Sequence, residues 1–553
     1  MNINQNIIKY LLKNPAESER DILSAKRKFC KLYDIAGAPT NAELLAEYNK
    51  QKINNPALHQ LLRKRRVRTL SGIAPIAVLT KPYPCPGKCA YCPNEKAIPK
   101  SYLANEPAVM RAILCKFDPY KQVQLRLRAL ANNGHETDKL ELIVMGGTWS
   151  YLPESYQIWY LKECFRAAND SPKNIKRRDA IYRVSKDKRD AINGISTQLK
   201  KEQKRNEAAQ NRIIGLTLET RPDFIDEKEL WKMRQYGCTR IEIGVQHLDN
   251  RILKLNQRGH DVATTINATK LMRQFGFKIT YHMMLNLPGS TPAKDFKMMR
   301  DIFENPNYRP DQIKIYPTVV SKNSLLYRWY KQGKWKSYTT KQLVNLLIKI
   351  KSITPPWVRI LRVIRDIPKE SIIAGNKITN MRQIIKSEME KKKIECQCTR
   401  CREVGRQEQF PISNFQFPKK LQITNYKIAK RKYRVSKGTE YFLSFESPDK
   451  KILYAFCRLF LPKLTMKQCN NKTIPPYNTA LIRELHTYGQ LAPIGQIGNI
   501  QHLGLGKKLL AQAESIAQKQ NYDKLSIISG IGVRNYYRQL GYRLENTYMV
   551  KKI

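Results

Sequence analysis

The sequence predicts an α/β chain: a basic helical region, then a partial (β/α) barrel, then a smaller C-terminal α+β domain. Three observations predict it. From Ser71 onward, seven short apolar runs alternate with helix-length amphipathic stretches, the pattern of βα units and a parallel sheet. Near residue 396 the texture changes, and beyond a polar linker EYFLSFE, a Ser-Pro-Asp turn and ILYAFCRLF read as an antiparallel hairpin. Finally, 553 residues make room for three or four units at roughly 150 residues each.

The elements follow in order. Residues 1–70 read as helical and basic, with Pro39 and Pro56 as breaks and Asn41 as the cap of AELLAEYNKQ. The strand runs are Ile73–Leu79, Leu140–Met145, Ile213–Leu218, Arg240–Val245, Lys278–Met284, Gln312–Tyr316 and Val358–Val363. Ser171 to Asn211 is polar and reads as an exposed helical excursion. The predicted units are 1–70, a basic region for nucleic acid; 71–395, the barrel; 396–425, a Cys-rich linker; and 426–553, the second domain. Within the last, Ala480–Tyr488 reads as a strand, Lys507–Gln520 as a helix and Lys524–Ser529 as a strand. There is no internal repeat.

Composition narrows the partners. Lys+Arg number 100 against 46 Asp+Glu, giving a net charge of +54, so polyanions are attracted. Heavy use of Asn, Ile, Lys and Tyr offers coding bias as the competing reading. The cluster Arg63, Lys64, Arg65, Arg66 and Arg68 favours nucleic acid, because there the charge is concentrated. No run approaches the ~20 apolar residues of a membrane span and the first twenty residues lack a signal-peptide core, so a soluble cytoplasmic protein is expected.

The 12 cysteines are read as thiols rather than a disulfide framework. Cys85, Cys89 and Cys92 form CxxxCxxC just after the first predicted strand. Three thiolates from one short loop can ligate three irons of a 4Fe-4S cluster and leave the fourth open. An open iron suits the amino and carboxylate groups of S-adenosylmethionine, and the loop resembles that of radical S-adenosylmethionine enzymes. Structural zinc is the alternative, but it needs a fourth ligand and none lies nearby. Gly146, Gly147 and Thr148 follow the second strand, where bare backbone would admit the cofactor's methionyl part. Glu219, Glu242 and Gln246 fall at or near carboxyl ends of strands, where sites of such folds gather. Cys30, Cys115, Cys164, Cys238, Cys457 and Cys469 read as small core residues.

Gln501-His502-Leu503-Gly504-Leu505-Gly506 precedes the predicted helix 507–520. Glycines at a helix N-terminus suit a pyrophosphate. The QxxGxG form, with its flanking strand-helix-strand order, resembles the coenzyme A loop of GNAT acetyltransferases; an ordinary Gly-rich turn is the alternative.

Both halves together closely resemble the catalytic subunit of Elongator, the tRNA uridine carboxymethyl synthase family, in a stand-alone prokaryotic-type form. The resemblance runs from about Arg63 to the last residue. It is carried by VRTLSGIAPIAVLTKP, DKLELIVMGGTW, LTLETRPD, GCTRIEIGVQ, RGHDV, GFKITYHMM, RPDQIKIYPT, CREVG, RELHTYG, QHLGLGKKLL and ISGIGVRNYYRQLGY. It implies carboxymethylation of C5 of the wobble uridine of tRNA, with acetyl-coenzyme A as carbon source and a radical derived from S-adenosylmethionine. It also implies that Lys139 reaches acetyl-coenzyme A from the barrel side and that Glu484, Leu485, His486 and Thr487 line the pantetheine strand. Leu505, Gly506 and Lys507, with Gln501 and Gly504, would hold the pyrophosphate, and Tyr536 and Tyr537 would stand near the thioester. Cys396, Cys398 and Cys401 resemble a zinc site of some family members, with the fourth ligand unidentified; free thiols are the alternative. The loop CPGKC, followed by Asn94-Glu95, departs from the longer His-containing loop of many members, but keeps the three thiols.

The implied partners are tRNA and an electron donor the sequence does not identify; no membrane partner is expected, and a homodimer is left open. Two competing readings are a protein lysine acetyltransferase with the barrel as a structural or S-adenosylmethionine-sensing module, and a tRNA-binding assembly protein with decayed sites.

Overall fold

The computed structural model describes residues 2–64, 69–170, 197–406, 426–463, 478–489 and 503–553. Its first element is a bundle of four short helices, Ile3–Lys13, Glu19–Leu32, Asn41–Lys50 and Pro56–Leu62. Their apolar faces meet around Ile8, Leu11, Ile22, Leu44, Tyr48 and Leu61. Ser18 and Thr40 close capping boxes with Asp21 and Glu43. Asn41 is therefore the first helical residue, and the cap is Thr40. Asn41 instead accepts from the buried Lys26 at 2.6 Å, so part of the basic charge expected to face solvent is used inside the bundle.

Seven parallel strands follow: β1 Ala74–Leu79, β2 Lys139–Met145, β3 Arg212–Thr220, β4 Arg240–Gln246, β5 Lys278–Leu285, β6 Gln312–Pro317 and β7 Arg359–Arg362. They pair in sequence order, as the βα pattern requires of a partial barrel. Their side chains and those of the crossover helices share one core, with Leu218, Ile243, Met283 and Ile315 buried in it. The excursion is corrected in part: helix Thr197–Asn206 buries Leu199, Gln203 and Asn206, and Asn206 accepts from the amide of Ile213 at 2.7 Å. That amphipathic helix packs against helix Glu154–Asn169; residues 171–196 lie outside the described residues.

The second sheet is mixed: β8 Lys427–Val435, β9 Gly438–Glu446, β10 Leu453–Pro462, β11 Thr479–Thr487, β12 Lys524–Ile527, β13 Arg543–Glu545 and β14 Tyr548–Lys552, in the order β13-β14-β12-β11-β10-β9-β8. The expected hairpin is β9–β10. Strands β11 and β12 pair in parallel only over Thr479–Ile482 and Lys524–Ile527. Helix Leu505–Lys519 covers β10 and β11 with Leu505, Leu509, Leu510, Ala513 and Ala517.

A buried charge network joins the two sheets. Glu440 of β9 accepts from Arg273, ahead of β5, at 2.6 Å and from Arg483 of β11 at 2.8 Å. Arg483 also pairs with Asp311, ahead of β6. These contacts fasten the second sheet to the amino ends of the barrel strands, leaving their carboxyl ends open. Among the described residues, no helix is long and apolar enough to cross a membrane.

Candidate active site

A cavity of about 560 Å³ opens at the carboxyl ends of the barrel strands. Cys85, Cys89 and Cys92 line it, as do Gly147, Thr148, Glu219, Glu242 and Gln246. The structure thus brings together residues spread over 160 positions of sequence because each follows or ends a parallel strand. Gly146 and Gly147 have φ of +136° and +97°, and a Cβ on Gly146 would collide with Thr80 Oγ1. Only glycine makes that turn. Thr148 Oγ1 lies 3.9 Å from Cys85 Sγ.

Cations face the cysteine loop. Arg258 Nη1 is 3.4 Å from Cys89 Sγ. Burial alone would push the Cys89 thiol up, but the charge and hydrogen bond of Arg258 bring it below its ordinary value. Arg221 Nη1 is buried without a hydrogen-bond partner and comes so close to Gly87 that any side chain there would clash with it. Burial, then the neighbouring Cys89, push Cys92 up to about 12, so a thiolate there requires a bound cation. Three cysteines on one loop, facing Arg258 and the unpartnered Nη1 of an Arg221 otherwise held by Asp223, fit a thiolate-ligated metal cluster of net negative charge.

The cavity also holds a polar ring, of which the sequence singled out Glu219 and Glu242 but not Tyr102, His282 or Lys314. Glu242 accepts from His282 Nε2 at 2.8 Å and from the Lys314 ammonium. Lys314 also lies 3.7 Å from Glu219, which accepts from Tyr102 Oη at 2.7 Å. Burial would raise Glu242, yet Lys314 and the hydrogen bond from His282 hold it well below the usual carboxylate range. The ligand atoms of Glu219, Glu242 and His282 lie within 4.8 Å of one another, a grouping able to hold a cation, and the Lys314 ammonium supplies that charge. A signal existed: Arg258 stands in RGHDV, His282 in YHMM and Lys314 in IKIYP.

At the other end of the barrel, the residues expected around acetyl-coenzyme A divide. Gly506 faces Tyr536: a Cβ there would lie 3.2 Å from Tyr536 Oη and 3.9 Å from both Leu485 Cδ2 and Thr487 Oγ1. Strand alternation turns the intervening residues the other way. Glu484 pairs with Lys278 at 2.5 Å and Arg458 at 3.0 Å, and His486 Nε2 lies 2.9 Å from the Ser71 carbonyl. Leu485 and Thr487 therefore face the glycine loop, while Glu484 and His486 fasten β11 to the barrel. Gly504 caps the helix at φ +81°, Leu505 is buried and Lys507 is exposed. Tyr536 and Tyr537 meet edge-to-face at 5.2 Å. Lys139 opens β2 opposite Arg212 of β3, the strand against which the turn Ile531–Val533 packs. Gln501 lies outside the described residues.

The thiols of Cys396, Cys398 and Cys401 lie within 4.8 Å of one another, with Lys351 Nζ 3.3 Å from Cys401 Sγ. The Thr399 amide donates to the Val358 carbonyl and Glu403 pairs with Arg359, tying the segment to β7. The donor set fits a thiophilic metal such as zinc. Of the scattered cysteines, Cys115, Cys164, Cys238 and Cys457 are buried as expected and Cys30 is half-buried; Cys469 lies outside the described residues. In the basic cluster, Arg63 is only 9% exposed, beside Glu136, and Lys64 is exposed; Arg65, Arg66 and Arg68 lie outside the described residues.

Comparison with known proteins bears on this arrangement. The Radical SAM superfamily matches residues 83–302 and the Radical_SAM C-terminal domain matches residues 310–391. A tRNA uridine(34) acetyltransferase of Dehalococcoides mccartyi is 42% identical over 89% of this chain and 100% of its own. Human Elongator complex protein 3 is 34% identical over 96% of this chain and 93% of its own. The solved structure of archaeal Methanocaldococcus infernus Elp3, lacking residues 1–46, superposes with a TM-score of 0.71 at 37% identity, covering 88% of this chain and 100% of that one.

Proposed function

Because the chain belongs to the tRNA uridine(34) acetyltransferase family that includes Elongator complex protein 3, we propose that it modifies the wobble uridine of tRNA by radical S-adenosylmethionine chemistry. The observation that carries this reading is the convergence of Cys85, Cys89 and Cys92 with Gly147, Thr148 and Glu219 in one cavity. In the finer reading, the acetyl methyl carbon of acetyl-coenzyme A joins C5, and hydrolysis of the thioester leaves 5-carboxymethyluridine.

Cys85, Cys89 and Cys92 would hold a 4Fe-4S cluster, with S-adenosylmethionine against Gly146, Gly147 and Thr148. Bound there, the pair supplies one-electron chemistry able to take a hydrogen atom from an unactivated carbon. Arg258 and Arg221 balance the thiolate charge. Glu219, Glu242 and Gln246 present acceptors and donors for the cofactor's polar groups, and Lys314 keeps Glu242 ionised so that it accepts only. In the second sheet, Gly506 leaves room for a pyrophosphate, Leu485 and Thr487 line the pantetheine, and Tyr536 stands beside both. Tyr537 and Lys139 complete the thioester end from the two sides.

Residues 1–70 are assigned to tRNA binding, 71–395 to the radical barrel, 396–425 to a zinc-stabilised junction and 426–553 to acetyl-coenzyme A. A protein acetyltransferase would leave the thiol-lined cavity and its cations without a use. Anaerobically reconstituted protein incubated with tRNA and acetyl-labelled coenzyme A tests the reading. Label is expected in tRNA and only with S-adenosylmethionine present; label in protein, or in tRNA without S-adenosylmethionine, overturns it.

A further inference from the structure

Three aromatic rings stand beside the cavity rather than in its wall. Tyr83 and Tyr151 meet with centroids 6.1 Å apart, and Tyr151 and Phe224 at 5.9 Å, in edge-to-face contacts. Each ring sits on a loop that builds the site: Tyr83 two residues before Cys85, Tyr151 three after Thr148 and Phe224 three after Arg221. The ladder therefore borders the carboxyl-end opening along β1, β2 and β3. Tyr83 is 37% exposed and Tyr151 42%, although clustered rings ordinarily gain by burial. Exposed Lys81 and Lys88 lie two residues before and five after Tyr83 in sequence, and the Lys81 ammonium sits over the ring of Tyr156, so cationic side chains are carried on the same loop as the first ring.

We propose that Tyr83, Tyr151 and Phe224 form a stacking platform for an unpaired nucleobase next to the target uridine. The inference rests on the tRNA-modifying reading and extends it to a second contact. An enzyme acting on C5 of a base must draw that base from its neighbours, and unstacking leaves the adjacent base seeking a new face. Aromatic side chains at a cationic rim recognise such single-stranded bases, and they do so whatever the base, because every base has a π-face. Two exposed rings backed by the half-buried Phe224 suit one flat base better than a protein partner, which would need a wider apolar patch.

A mutant cycle between protein and RNA tests it, using the holoenzyme and a synthetic anticodon stem–loop. Tyr83→Ala with Tyr151→Ala should weaken binding at least fivefold, within the range for loss of one base stack, while the salt slope stays that of the wild type. Tyr83→Phe with Tyr151→Phe, which keeps the rings, should bind as the wild type does. An abasic site at one position flanking the target should cost the wild type a similar factor and cost the Ala variant nothing further. Undiminished binding by the Ala variant overturns the platform, as does additivity of protein and RNA changes at every flanking position, which would mark the rings as a surface for something other than a base. If the wild type itself fails to bind the stem–loop, the tRNA reading falls and the platform with it.

Discussion

Arg258 ties the cysteine loop to the fourth barrel strand: its Nη1 lies 3.4 Å from Cys89 Sγ while Nε and Nη2 both donate to the Gly244 carbonyl. One guanidinium thus fixes a thiol relative to the sheet, a geometry that the single ammonium of lysine cannot reproduce. Arg258→Met should lower iron retention and S-adenosylmethionine cleavage by about 10- to 100-fold, the usual cost of losing a residue that orients a metal ligand. Cys89→Ser should abolish the brown chromophore outright. A full iron complement and undiminished cleavage in Arg258→Met would reduce the contact to packing.

The second prediction concerns Gly506, whose neighbour Tyr536 leaves 3.2 Å for any added Cβ. Gly506→Glu should eliminate acetyl-coenzyme A binding in calorimetry through clash and charge repulsion, while the barrel still takes up iron. Gly506→Ala should weaken binding mildly, and Tyr536→Phe should relieve part of that loss, because the nearest atom is the hydroxyl. Equal affinities across the set would make the loop an ordinary turn.

The third prediction follows from Glu440, which is fully buried between Arg273 and Arg483. Burial alone would raise its carboxyl; Arg483, then Arg273 and Arg458, bring it down to about 2. A depressed carboxyl contributes stability that is complete above its unfolded value of about 4.3 and is lost as pH falls toward 2. Urea midpoints should therefore drop through that window in the wild type and drop less steeply in Glu440→Gln. At neutral pH, Glu440→Gln should cost about 3–5 kcal/mol, because the buried Arg273 loses its counter-charge and the buried Arg483 is left with Asp311 alone. A cost below about 1 kcal/mol, the scale of an exposed pair, would mean that the network is relieved by water.

The fourth prediction is that Cys398→Ala removes about one equivalent of zinc per chain, measured by metal analysis, and lowers the melting temperature. S-adenosylmethionine cleavage should persist, since the triplet lies at β7 and Glu403 rather than in the thiol-lined cavity. Unchanged metal content would return these cysteines to free thiols.

How far the fold was legible depends on what each element buries. The barrel strands were placed to within about two residues, because Val, Ile and Leu runs such as Leu140–Met145 must be buried on a parallel sheet. Strand β8 was missed within the predicted second domain: KIAKRKYRV carries five Lys or Arg in nine residues and predicts no element, yet an edge strand needs only one partner and charge protects its open side. The cysteines and Gly146-Gly147 were legible because few residue types can do their work. Arg258, His282 and Lys314 were not, since a lone Arg, His or Lys reads as a solvated side chain until β4, β5 and β6 close around it. Strand β11 was legible as a strand but not by face: residues 484–487 were expected on one surface, and the two-residue period turns Leu485 and Thr487 away from Glu484 and His486.

The last prediction concerns the basic cluster, which burial also divides. Arg63 follows helix Pro56–Leu62 and is 9% exposed beside Glu136, so its charge is engaged within the fold. Lys64 is exposed, its backbone held by Asn133 and its carbonyl by His135 Nε2. A phosphate contact releases counterions, so each one lost should flatten the plot of log affinity against log salt by about 0.7–0.9. Replacing Lys64, Arg65, Arg66 and Arg68 by Ala should therefore weaken all tRNAs alike and reduce the slope, because such contacts position an RNA without reading its bases. Arg63→Ala should instead lower the melting temperature and keep the slope, since a buried guanidinium partnered near Glu136 gives up few counterions to an arriving RNA. Filter binding across a salt series, with thermal unfolding of both variants, checks the division. A flattened slope in Arg63→Ala alone would place the RNA backbone against the junction of the bundle and β2, rather than along the segment that leads to β1.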